Sequence, residues 1–223
     1  MLNLPNKGNP KSGLFWAMGS LLFLYPFAGG LYATWQWGGA MVCNGILLVL
    51  LWISTKQIRL FSSPMSVICL AVMIGGALWN LWTGLDQDAA WIGLLRMCGW
   101  LLFAVLILQW PLKQRQLLLA FVPISGAVAV AVSLLAGLVP AWRPFFYEAG
   151  RLAGPFQYAN SFALFLLLGL VMLPQFWPRL LQSGVALLLL FGIVATGSRG
   201  GLILLVLWIV FSLLRSHSVR RII

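Results

Sequence analysis

The 223-residue sequence predicts an all-α, polytopic integral membrane protein with about eight transmembrane helices. Three observations predict it. Hydrophobic residues make up 62% of the chain and charged residues 8%, whereas ordinary soluble domains are roughly a quarter charged. The apolar runs approach the ~20 residues that cross a hydrocarbon core. None of the runs alternates with the period of a barrel strand, and in lipid the backbone must pair its own N–H and C=O groups, so the runs form helices. This composition excludes a soluble globule, a disordered chain, a disulfide scaffold and a collagen-like fibre. Cys43, Cys69 and Cys98 are odd in number, lie within apolar runs and lack metal-site or disulfide spacing, so they read as plain helix residues and no metal is expected.

Taken in order, the spans are residues 13–33, 38–54, 65–85, 89–110, 117–139, 159–177, 180–196 and 200–214, within one membrane domain covering 1–223. Lys7 and Lys11 precede the first span as in a signal sequence, but its apolar stretch is long and no small-residue cleavage site follows, so it reads as a retained anchor. The stretch 140–158 is aromatic and broken by proline, and is expected to lie in the interface as an outer loop. Residues 215–223 form a basic cytoplasmic tail that holds the one histidine, His217.

The net charge of +11 resembles a nucleic-acid signal until the charges are placed along the chain. Alternate connections collect Lys7, Lys11, Lys56, Arg59, Lys113, Arg115, Arg179, Arg215, Arg220 and Arg221 on one side with no acid. The opposite side balances Arg143, Arg151 and Arg199 against Asp86, Asp88 and Glu148, and Arg96 falls inside a span. Basic residues in short loops stay cytoplasmic, so both termini are expected inside and no nucleic-acid partner is implied. Tryptophans favour the headgroup level: Trp35, Trp37, Trp79, Trp82 and Trp91 mark outer boundaries, and Trp52, Trp110 and Trp177 mark inner ends.

The outer arginines work against this bias and are the candidate functional residues. Arg143 reads as a headgroup anchor. Arg151 is followed by Gly154 and Pro155, where a helix starts with proline in its first turn, or else Asn160 caps a shorter helix. Either way free N–H groups and the positive end of a helix dipole lie near a guanidinium, a combination that suits phosphate. The second constellation is Thr196-Gly-Ser-Arg-Gly-Gly201. From Leu180 to Leu214, 35 residues make two crossings and a turn. Each arm spans roughly 26 Å, short of a ~30 Å core, which places Arg199 below the outer surface. At that depth a guanidinium faces protein, a counter-charge or a water-filled cavity. Otherwise the bilayer thins and Arg199 snorkels to the surface. Arg96, about 12 Å along the helix from Asp88, either pairs with Asp86 or Asp88 or lines the same cavity as Arg151 and Arg199.

The segment Arg151-Leu-Ala-Gly-Pro-Phe-Gln-Tyr-Ala-Asn160, followed by Ala195-Thr-Gly-Ser-Arg199-Gly-Gly201, resembles the O-antigen ligase and polymerase family of bacterial envelope glycan synthesis. The resemblance covers roughly Arg143 to Leu214. It implies a membrane glycosyltransferase fold of the all-helical, GT-C-like kind in the inner (plasma) membrane, taking a glycan from undecaprenyl diphosphate to a hydroxyl acceptor on the outer face. Carried onto this chain, Arg151 and Arg199 are the catalytic residues that hold the diphosphate and offset the charge developing on it. Gly154, Tyr158, Asn160, Ser198 and Arg96 are the substrate-binding candidates. No cofactor is implied. Membrane lipid and a lipid-linked glycan donor are the expected partners.

Family members continue into further spans and a large outer loop bearing a histidine, whereas here a basic tail ends at Ile223. The resemblance therefore implies the amino-terminal part of such an enzyme, either a truncated or split gene product or one half of a two-chain assembly whose second chain supplies the carboxy-terminal spans and loop, and activity of this chain alone is not expected. A competing function class is a membrane transporter or structural subunit with an internal anion pocket and no requirement for a lipid-linked sugar.

Overall fold

The computed structural model describes residues 10–28, 34–56, 64–83 and 87–220. Lys7, Arg59, Asp86 and Arg221 of the charge pattern lie outside the described residues. The chain is all-α. The helices are α1 (Pro10–Leu24), α2 (Thr34–Thr55), α3 (Pro64–Thr83), α4 (Gln87–Leu108), α5 (Leu112–Leu119), α6 (Phe121–Gly137), the short α7 (Arg143–Phe146), α8 (Ala159–Val171), α9 (Arg179–Ala195) and α10 (Arg199–Arg220).

Among the described residues, three stretches are long and apolar enough to cross a membrane: Gln36–Thr55, Ala90–Leu108 and Leu112–Gly137. Ser12–Phe27, Ala159–Val171, Arg179–Ala195 and Arg199–Leu214 are apolar but shorter. Two expected spans take a different form. The fifth is interrupted at Ala120, where Pro123 in the first turn of α6 has no N–H to continue the ladder. The sixth ends at Val171 rather than Trp177, because Pro174 and Pro178 follow, and its 13 residues reach only about 20 Å.

Whereas the sequence reads as one domain, contacts divide the chain into two compact units, Met1–Leu21 with Leu31–Leu118, and Leu22–Gly30 with Leu119–Ile223. In the first unit α2 and α3 pack on α4. Trp110, expected at an inner headgroup boundary, is instead buried, with its ring edge-to-face on Phe15 at 5.3 Å. Just beyond the end of α4, Arg115 donates to the carbonyls of Trp110 (Nε, 2.5 Å) and Leu108 (Nη2, 3.1 Å). A cation at a helix C-terminus satisfies orphan carbonyls and opposes the negative end of the dipole.

The second unit is built on α6, α8 and α9, whose apolar faces enclose Ala129, Val130, Phe162, Leu166, Leu170, Leu189 and Ile193. Leu152 from the connection and Leu205 from α10 complete this cluster. A 3-10 turn, Tyr25–Phe27, follows α1 in the chain, and the Ser125 hydroxyl of α6 donates to the Phe23 carbonyl just before it (2.7 Å).

The connection read as an interfacial loop has more structure than the sequence conveys. After α7 come two short antiparallel strands, β1 (Tyr147–Glu148) and β2 (Arg151–Leu152), then a 3-10 turn at Gly154–Phe156. Both central turn residues, Ala149 and Gly150, have positive φ (48° and 80°), the hallmark of a type I′ hairpin turn. The register sets Glu148 opposite Arg151, and the Ala153 N–H donates to Phe146 O (2.8 Å) to close the base of the hairpin.

Candidate functional site

The site forms where the hairpin, the first turn of α8 and the α9–α10 turn meet. Helix α9 ends at Ala195, and the chain reverses through Thr196, Gly197 and Ser198. Thr196 is fully buried. Its hydroxyl donates to Ile193 O (2.6 Å) and accepts from Ser198 N (3.2 Å), which fixes the turn internally. Gly197 has φ +56°, a left-handed conformation that glycine adopts without a Cβ penalty. Ser198 then caps α10: its Oγ accepts from Gly201 N (3.1 Å), and its carbonyl accepts from Leu202 N (2.9 Å). A helix start leaves four N–H groups without intrahelical partners. Those of Ser198 and Gly201 are satisfied by the Thr196 and Ser198 hydroxyls, and among the described residues the N–H groups of Arg199 and Gly200 have no acceptor.

Arg151 reaches from β2 into this corner. Its Nε donates to the Thr196 carbonyl (2.8 Å) and its Nη2 to Asn160 Oδ1 (3.1 Å). Asn160 Nδ2 donates in turn to the Tyr158 hydroxyl oxygen (3.0 Å), which orients the amide so that its oxygen faces the arginine. A guanidinium carries five N–H donors, so three remain for a ligand. The Arg199 side chain is exposed, and among the described residues its guanidinium has no hydrogen-bond or ion-pair partner.

Both arginines line a cavity of about 620 Å³, together with Asn160, Leu164, Gly197, Ser198, Gly200, Gly201 and Leu204. Close packing of α10 on α8 shapes its wall, since a Cβ at Gly201 would lie 2.7 Å from Ala163 Cβ. The pocket lining thus combines two guanidiniums, open helix amides and two leucines. It can bind an anion attached to an apolar chain. No carboxylate, imidazole or thiol is among the lining residues, and among the described residues no three His, Cys, Asp or Glu side chains converge as a metal site would require.

Of the residues singled out from the sequence, the structure brings Arg151, Asn160, Ser198 and Arg199 to the cavity wall. Tyr158 stands behind Asn160 as its hydrogen-bond partner. Gly154 is buried with φ +59°, and a Cβ there would lie 2.6 Å from Phe162 Cε1, so glycine is required by packing and backbone shape. Arg96 belongs to the first unit. Its guanidinium lies 5.7 Å from the centre of the Trp37 ring, and among the described residues it makes no ion pair with Asp88. The helix start differs from both sequence readings: Pro155 lies in the 3-10 turn, Tyr158 is the cap of α8, and Asn160 is inside the helix.

Sequence reasoning missed the roles of four residues. Glu148 Oε2 accepts the N–H of Ala159, the first amide of α8, at 3.1 Å. The Thr196 carbonyl anchors Arg151, and Leu164 and Leu204 supply the apolar wall. The one local signal was a weak one: oppositely charged residues flank a two-residue Ala-Gly turn, which sets them opposite each other but lacks the Asn-Gly or Asp-Gly pair that marks such turns strongly.

The fold and the site together define a helical protein with stretches fit to cross a membrane and a two-arginine pocket at a helix start. Compared with known proteins, the chain matches no family model, no curated protein and no solved structure.

Proposed function

We propose that this chain is a multi-pass protein of the bacterial inner membrane, crossing it about eight times, and a glycosyltransferase of the O-antigen ligase or polymerase type. Its cavity holds the diphosphate of a lipid-linked glycan donor, undecaprenyl diphosphate carrying the sugar. The observation that carries this reading is that Arg151 and Arg199 line one cavity with two open helix amides and an apolar wall. A polyprenyl diphosphate needs fixed positive charge for its head and apolar surface for its tail.

In the reaction an acceptor hydroxyl oxygen bonds to the anomeric carbon. The bond from that carbon to the diphosphate oxygen breaks, and the electron pair leaves with the diphosphate. Charge therefore grows on the leaving group, where the Arg151 guanidinium, held by Thr196 and Asn160, and the open amides are already in position to stabilise it, and the exposed Arg199 guanidinium adds a second positive charge. The hydroxyl proton passes to a base that the cavity lining does not provide. We assign that base to a partner chain, so this chain contributes the donor side.

The test is binding of farnesyl diphosphate to the purified chain in lipid nanodiscs. Arg199→Ala and Arg151→Ala are each expected to weaken binding on the order of 10- to 100-fold, the loss of one charge-assisted hydrogen-bonding group, with membrane insertion intact. Unchanged affinity in both variants rejects the reading. Anion flux through liposomes with no dependence on a lipid-linked diphosphate would instead favour a transporter.

A further inference from the structure

We infer that Glu148 is a positioning residue that sets the Arg151 guanidinium by latching the hairpin to the first turn of α8. The inference rests on the cavity being an anion site, and it identifies what holds one of its two arginines in place. The register pairs Glu148 with Arg151 across the two-residue turn, and each reaches the same helix start from its own strand. Glu148 Oε2 accepts from Ala159 N (3.1 Å), and Arg151 Nη2 donates to the adjacent Asn160 Oδ1 (3.1 Å).

The carboxylate also occupies the position at α8 that an incoming anion would take. A helix N-terminus favours a negative group, and here the protein supplies its own. An exogenous anion is thereby directed away from α8 and toward the open amides of Arg199 and Gly200. Glu148 does not line the cavity. It acts through Arg151 and touches no ligand.

The experiment uses the full chain in lipid nanodiscs with two readouts. One is the rate at which a vicinal dicarbonyl reagent modifies Arg151, followed by peptide mass spectrometry. The other is farnesyl diphosphate affinity. Glu148→Ala is expected to raise the modification rate and weaken binding, each by about tenfold, the scale of a lost hydrogen bond to a charged group. Glu148→Gln keeps an oxygen for the Ala159 N–H and is expected to stay within about threefold of the parent in both.

Parental behaviour of Glu148→Ala in both readouts overturns the inference. So does a Glu148→Gln variant as impaired as Glu148→Ala, because the charge and not the latch would then matter. If Glu148→Ala does not fold, Ala159→Pro removes the donor instead. Proline suits a first helical position, and Tyr158 before it is already extended. This variant is expected to expose Arg151 to the reagent in the same way, and an unchanged rate again overturns the latch. Should the parent chain bind no farnesyl diphosphate, the proposed function fails, while Arg151 reactivity still decides the latch.

Discussion

Two helices start beside Arg151, and they start differently. At α8 the first amide is taken by the Glu148 carboxylate, reaching over from the hairpin. At α10 the cap is local: Ser198 satisfies the third amide, and among the described residues the first two have no acceptor and the exposed Arg199 guanidinium beside them has no partner. Both termini carry the positive end of a dipole. Where the chain brings its own anion the terminus is structural, and where it leaves the amides open and adds Arg199 it is ready for an anion from outside.

The difference between the two helix starts is lost most completely if α10 is driven away from α8. Gly201→Val places carbons where the Cβ position is already 2.7 Å from Ala163 Cβ. The variant is expected to lose on the order of 1–3 kcal/mol of stability through overpacking, with loss of farnesyl diphosphate binding. Thermal unfolding in detergent and a binding titration check it, and a variant with parental melting and affinity would show that α10 does not form the cavity wall.

A smaller change sharpens the contrast. Ser198→Ala removes only the local cap and is expected to cost about 1 kcal/mol, a fall in Tm of roughly 2–4 °C for a chain of this size. Farnesyl diphosphate affinity should change by no more than about threefold, because the Arg199 and Gly200 amides and both guanidiniums remain. A loss as large as that from Arg199→Ala would mean that the Ser198 hydroxyl binds the ligand directly.

The all-α class and most helix positions were legible in the sequence. Apolar composition set them, and the expected starts of α2, α4, α8 and α9 lie within about four residues of the observed ones. Arg151 and Arg199 were legible too, since a basic residue beside glycine and a helix start is a local pattern. The rest is long-range or weakly encoded. Ala149-Gly150 is a poor type I′ signal beside the usual Asn-Gly, so the hairpin stayed hidden, and with it the Glu148–Ala159 bond. Arg96 on the Trp37 ring joins α2 to α4, a contact that spacing along one helix cannot reveal. Ser198 read as a ligand-binding hydroxyl, but a serine at a helix start is first a cap.

The central claim is that Arg151 and Arg199 hold one anion between them. A double-mutant cycle on farnesyl diphosphate affinity tests it most directly, using Arg151→Ala, Arg199→Ala and the double variant, with farnesol as the ligand lacking the diphosphate. Groups sharing one ligand couple, so the double variant should lose clearly less than the product of the single losses, and farnesol affinity should not move. Losses that multiply without coupling, or an equal loss for farnesol, would contradict a shared diphosphate site.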